Sequence, residues 1–181
     1  MKDNIGHLIK IWANQNNDGT LPDKYFTLDI ETTGLGNNAR IFQIGCCCVN
    51  GKTITAFNTV LKTPFEIFDT DAIAVTGVTE SWLSEHGGDR DLLLTGFYAF
   101  FRQRLNEGYI PVGHNILNFD SKFLKKEAEL LGIEFSLPSK TIDTGLIVKA
   151  SQLNLFPEPK QDFIIFLENV NHVFASVQWR L

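Results

Sequence analysis

No run of apolar residues reaches the roughly 18 that a membrane-spanning helix requires. Met1 to Asn17 likewise has no long apolar centre of the kind a secretory signal carries. Neither membrane insertion nor export is therefore expected, and a cytoplasmic location is. Cysteine is scarce, with three residues, all adjacent, at Cys46, Cys47 and Cys48. Neighbouring side chains point to opposite faces of an extended strand, so these three cannot build a disulfide framework. They also lack the ligand spacing and histidine partners of a tetrahedral zinc site, which leaves buried strand packing as their expected role. Net positive charge is missing too. Sixteen basic against 21 acidic residues leave −5, which argues against a surface that grips long duplex mainly by neutralising phosphate. Contact with phosphate stays open where carboxylates hold cations between the two.

What is present suits one globular core: 181 residues, 44% apolar and 20% charged. Ile5, Leu8, Ile9 and Trp12 have helical spacing, and the polar stretch Asn14 to Thr20 ends that segment, so residues 1–22 read as an outer helix and linker ahead of a domain over 23–181. Lys24 to Ile30, Ile41 to Val49 and Thr53 to Leu61 read as three successive strands, the last two joined at Asn50-Gly51, a strong hairpin signal. The chain reads as irregular after Pro64. Helical periodicity then covers Arg90 to Leu105, a short strand Tyr109 to Gly113, and a further helix Ser121 to Leu131. Pro157 to Lys160 is the best candidate loop, with a helix over Asp162 to Val170 beyond it. Strands first, then alternating strand and helix, predict a mixed sheet flanked by helices.

Gly51-Lys52-Thr53 resembles the end of a phosphate-binding loop, but five residues separate Gly45 from Gly51 where that motif has four, and a strand follows where it needs a helix. Two other segments carry more chemistry. In Phe26-Thr27-Leu28-Asp29-Ile30-Glu31-Thr32-Thr33-Gly34-Leu35, Asp29 and Glu31 are two apart on a strand and so emerge on one face, where hard oxygen ligands suit magnesium or manganese. Thr32 to Leu35 supplies a tight turn whose amides can face a terminal hydroxyl or phosphate, with Leu35 free to pack against a base. In Gly113-His114-Asn115-Ile116-Leu117-Asn118-Phe119-Asp120, a short strand leads into a helix that opens at Asp120. A solvated carboxylate pair and a capping aspartate are the bland alternatives for each segment taken alone.

Together the two segments resemble the first and second motifs of the DnaQ-like, or DEDD-type, 3′-5′ exonuclease family. The resemblance covers most of Tyr25 to Asn154, including Phe68 to Thr79 between the motifs and Thr141-Ile142-Asp143-Thr144 after them. It implies an α/β, ribonuclease H-like fold with a mixed five-stranded sheet and surrounding helices. It also implies metal binding and catalysis by Asp29, Glu31 and Asp120, with two Mg2+ or Mn2+ ions in a complete site. Thr32, Thr33, Gly34, Leu35, His114, Asn115 and Phe119 would contact the substrate, a single-stranded 3′ end of DNA or RNA. Two departures stand out: Thr76 occupies a position where many members carry histidine, and one extra residue lies between Asn115 and Phe119.

The family's third motif, a general base a few residues before a fourth metal-binding aspartate, is not recognisable. Asp162 is the only aspartate after Asp143, and Val177 stands five residues beyond His172. Loss of general-base help alone typically costs about 10²- to 10⁴-fold in rate. Low activity of the isolated chain, or a catalytically impaired module acting in nucleic-acid binding or protein interaction, is expected on that ground. A chain that stops short of the third motif would also lack the C-terminal helix, leaving an apolar edge for a second subunit or partner to cover.

Overall fold

The computed structural model describes residues 22–146. The expected helix at Ile5 to Trp12, the loop at Pro157 to Lys160, the helix at Asp162 to Val170 and the C-terminal edge lie outside the described residues. So do the ends of the two expected domains.

Three strands form the antiparallel meander read from the sequence: β1 (Lys24–Thr32), β2 (Ile41–Asn50) and β3 (Thr53–Val60). The β2–β3 hairpin turns at Gly51, whose φ of +56° lies in the left-handed region that glycine enters without a Cβ penalty. The supposed phosphate loop is therefore a hairpin turn. β1 runs two residues further than its apolar pattern indicates, so that Glu31 lies inside the strand, where a bulge at Glu31/Thr32 breaks the register with β2.

The stretch after Pro64 is more ordered than the sequence reading had it. A 3-10 turn at Phe65–Ile67 precedes two helices of seven residues each, α1 (Thr70–Thr76) and α2 (Glu80–His86). Seven residues are too few to display a helical period, which is why they read as irregular. Their ends are nonetheless marked. Gly77 closes α1 at φ +69°, and the Thr79 hydroxyl caps α2 by accepting from the Trp82 amide at 3.2 Å. Val78 and Leu83 close with Phe42 and Phe68 into a small core against the β2 end.

The long helix α3 (Arg90–Asn106) leads to β4 (Ile110–Gly113), which pairs parallel to β1, and α4 (Asp120–Leu130) returns the chain to β5 (Ile142–Asp143), parallel to β4. The sheet order is β3-β2-β1-β4-β5, the mixed five-stranded arrangement expected. Phe26, Leu28 and Ile30 project from β1 into the main core with Ile44, Cys46 and Cys48 of β2, under Leu94, Phe97 and Phe101 of α3 and Leu124 and Ala128 of α4. Full burial of each large apolar side chain contributes about 1.5–3 kcal/mol. All three cysteines are buried and free, as packing residues would be. No helix among the described residues is long and apolar enough to cross a membrane.

Candidate active site

Strand direction brings the acidic residues together. β1 and β4 are parallel, so both finish at the same rim of the sheet, and the short link after β4 sets the start of α4 beside the end of β1. Asp29 and Glu31 alternate away from the core-facing Leu28 and Ile30 and are half-buried. Asp120, the first residue of α4, is buried. A capping role is not what it plays: the helix is capped at Phe119 without a side-chain bond, and Asp120 Oδ1 finds no hydrogen-bond partner among the described residues.

The three carboxylates feel one another. Burial, then the charge of Asp29, pushes Glu31 up to about 7. Asp120 is likewise pushed up to about 7 by burial, by the charge of Asp29 and, to a smaller extent, by that of Asp143, while backbone hydrogen bonds from Asp120 and Ile30 pull the other way. Asp29 thus acts on both of the others, one on its own strand and one on a helix 91 positions along the chain. Like charges drawn into a half-buried rim are the electrostatic complement of a cation. Hard carboxylate oxygens and an orphaned buried acceptor suit Mg2+ or Mn2+ in chemistry. Among the described residues no three His, Cys, Asp or Glu side chains are gathered closely enough to hold a cation.

A stability signature follows. A carboxyl whose folded pKa stands above its unfolded one binds more protons when folded, so stability declines as pH climbs from the ordinary carboxyl range through about 7. In EDTA the melting temperature is expected to be higher at pH 6 than at pH 8, and Mn2+ is expected to narrow the gap. Differential scanning fluorimetry across that range checks it; a melting temperature that rises from pH 6 to 8 in EDTA contradicts it.

Around the acids, the turn after β1 is closely held. Thr32 Oγ1 donates to the Gly34 carbonyl at 2.8 Å, and the Asp69 amide donates to the Thr33 carbonyl at 2.7 Å. Gly34 sits at φ +155°, and a Cβ there would meet Asp69 Oδ2 at 1.9 Å, so only glycine fits. Leu35 stands 80% exposed at the rim, an apolar side chain offered to solvent. On the loop after β4, His114 is exposed with Nδ1 3.1 Å from Thr144 Oγ1, Asn115 adopts φ +60°, and half-buried Phe119 packs against Phe123 with ring centroids 5.1 Å apart.

Asp143 was quoted in the sequence only as part of a segment, yet it organises this loop. Its buried carboxylate accepts from the amides of Asn115 at 2.9 Å, Leu117 at 3.2 Å and Gly145 at 2.9 Å. A second residue escaped the sequence reading altogether: Glu127 of α4, 1% exposed in its side chain, pairs with both Arg40 and Arg90. The available signal was its place on the apolar stripe of the helix, three residues after Leu124 and next to Ala128.

A mixed sheet of this order, with helices on its flanks, is an α/β fold of the ribonuclease H-like class. The chain belongs to the exonuclease family RNase_T, which matches residues 26–165, and so to the DnaQ-like, DEDD-type group. Among curated relatives, the DNA polymerase III PolC-type of Caldanaerobacter subterraneus subsp. tengcongensis is 31% identical over 131 residues, 70% of this chain and 8% of that protein. The uncharacterized exonuclease CP81 of Escherichia phage 186 is 25% identical over 121 residues, 63% of this chain and 54% of that one. The chain therefore spans only a small part of the first relative and about half of the second. In fold it is similar to Escherichia coli exonuclease I in complex with a dA16 oligonucleotide, at TM-score 0.57 and 14% identity over 71% of this chain and 29% of that chain. The metal-free form of the E. coli exonuclease I complex with single-stranded DNA gives TM-score 0.59 at 14% identity, covering 71% of this chain and 30% of that one.

Proposed function

We propose that this nuclease domain removes nucleotides from the 3′ end of single-stranded DNA or RNA, with Asp29, Glu31 and Asp120 holding Mg2+ or Mn2+. The observation that carries this reading is the parallel pairing of β1 with β4, which sets Asp120 at the opening of α4 near the end of the strand that bears Asp29 and Glu31. A pair of such ions, when bound, activates water and stabilises the leaving oxygen of a phosphodiester. The protein's own part is to orient and exclude. Thr32, Thr33 and Gly34 present a turn held by Asp69, which can accept the terminal sugar and phosphate. Exposed Leu35 and half-buried Phe119 would offer apolar surface to a terminal base of any identity. His114 and Asn115, braced through Thr144 and Asp143, would contact the substrate from the loop after β4.

A second reading, an impaired module that binds nucleic acid or a protein partner without cleaving, is favoured by the unrecognisable third motif in the sequence. One experiment separates the two. A single-stranded oligonucleotide labelled at its 5′ end is incubated with the chain and Mn2+, in DNA and RNA versions. A ladder of progressively shorter labelled products is expected of a 3′-5′ exonuclease. Release of the labelled nucleotide alone reverses the polarity, and Mn2+ binding with intact substrate favours the module.

A further inference from the structure

Arg40 joins the turn after β1 to the helix that carries Asp120. Its backbone exchanges two hydrogen bonds with Thr33: the Arg40 amide donates to Thr33 Oγ1 at 3.0 Å, and the Thr33 amide donates to the Arg40 carbonyl at 2.9 Å. Its side chain reaches the other way, Nε and Nη2 donating at 2.8 Å each to the two carboxylate oxygens of Glu127. A guanidinium forked on a carboxylate fixes direction as well as distance, which a single point charge does not. Glu127 also accepts from the Ile41 amide at 3.2 Å, and its neighbour Lys126 donates from Nζ to the carbonyls of Asn37 at 2.6 Å and Ala39 at 2.8 Å. The returning limb of the loop, 37–41, is thus tied to one turn of α4.

Glu127 lies seven residues after Asp120, about two helical turns, so both sit on the same side of α4. The helix is a short rigid bar with Asp120 at one end and the grip on Arg40 further along it. Where Arg40 sits decides where Thr33 sits, and with it the end of the strand bearing Asp29 and Glu31. We propose that Arg40 is a positioning residue of the nuclease site: through Glu127 and Thr33 it sets the separation between Asp120 and the Asp29–Glu31 pair. The inference rests on those three carboxylates being the site, and Arg40 itself need not touch substrate.

The test compares Arg40→Gln with Tyr98→Phe, a control that loses a buried 2.6 Å hydrogen bond from α3 to the Leu124 carbonyl of α4 but leaves Arg40 alone. Three quantities are read on the full chain: amide hydrogen exchange at Thr33, Mn2+ affinity by electron paramagnetic resonance, and kcat and KM on a single-stranded oligonucleotide. Arg40→Gln is expected to speed Thr33 exchange at least tenfold more than the control does. It is also expected to weaken Mn2+ and lower kcat by about 10- to 100-fold, the scale of a misplaced supporting group. Tyr98→Phe lowers the melting temperature and leaves Mn2+ affinity and kcat near wild type. Equal behaviour of the two variants in exchange and Mn2+ affinity overturns the proposal. Should the wild-type chain cleave no 3′ end while Arg40→Gln alone loses Mn2+ affinity, the exonuclease reading fails and the positioning role stands.

Discussion

Asp29→Asn is expected to lower cleavage at a 3′ end by at least ~10³-fold in Mn2+ and to flatten the pH dependence of stability in the metal-free protein. The two effects share one cause. Asp29 is the residue whose charge reaches both Glu31 and Asp120, so its carboxylate is the hub of the cluster. Asparagine keeps the shape and one oxygen but removes the charge, so a divalent cation loses its central anion. Without the cation that charge raises the pKa of Glu31 and Asp120, and its removal lets both ionise at lower pH. In EDTA the variant's decline in stability between pH 6 and 8 should be shallower than that of the wild type. Parallel gel assays and melting curves check both halves. Retained cleavage, or a variant that simply unfolds, contradicts the assignment of Asp29.

The largest loss of stability is expected from Glu127→Ala. The Glu127 carboxylate is buried between Arg40 and Arg90; burial alone would raise its pKa, but the hydrogen bonds and charges of the two guanidinium groups hold it below the usual carboxylate range. Alanine leaves Arg90 facing Ile41 and Thr63 with its charge uncompensated in a partly buried pocket, and frees Arg40 from its anchor. Breaking a buried pair by removing one partner costs about 3–5 kcal/mol. At about 2–4 °C per kcal/mol for a domain of this size, the melting temperature should fall by roughly 6–20 °C. The double variant Glu127→Ala/Arg90→Met should recover part of that fall, because the more buried of the two guanidinium groups left without Glu127 is then removed. A melting temperature within 2 °C or so of wild type in Glu127→Ala, on the same scale, contradicts a structural role for the pair.

How much could be read in advance follows from how local each signal is. β1 to β3 were legible because their apolar runs end in turn residues, with Asn50-Gly51 as punctuation. Asp29, Glu31 and Asp120 were legible because a strand period and a helix opening fix where each side chain leaves the backbone. Their convergence was not local: it depends on β4 pairing parallel to β1, which no residue pattern announces, and was expected only through family resemblance. The short helices α1 and α2 were missed because one or two turns carry no period. Glu127 was hidden by its neighbours. It sits in a helix with Lys125, Lys126 and Glu129, where an exposed pair such as Lys125 with Glu129 at 4.0 Å is ordinary. Its place on the apolar stripe hinted at burial, but its partners Arg40 and Arg90 are brought in by distant elements. Asp143 was likewise quoted without a role, since its partners Asn115 and Leu117 lie on another loop.

The account stands or falls on Asp120 sharing a cation with the strand pair. Mn2+ titration followed by electron paramagnetic resonance at pH 7.5, run on the wild type and on Asp120→Asn, tests that sharing directly. At least a tenfold weaker affinity in Asp120→Asn, matched by Asp29→Asn, is the predicted result. Undiminished Mn2+ binding by Asp120→Asn would contradict it.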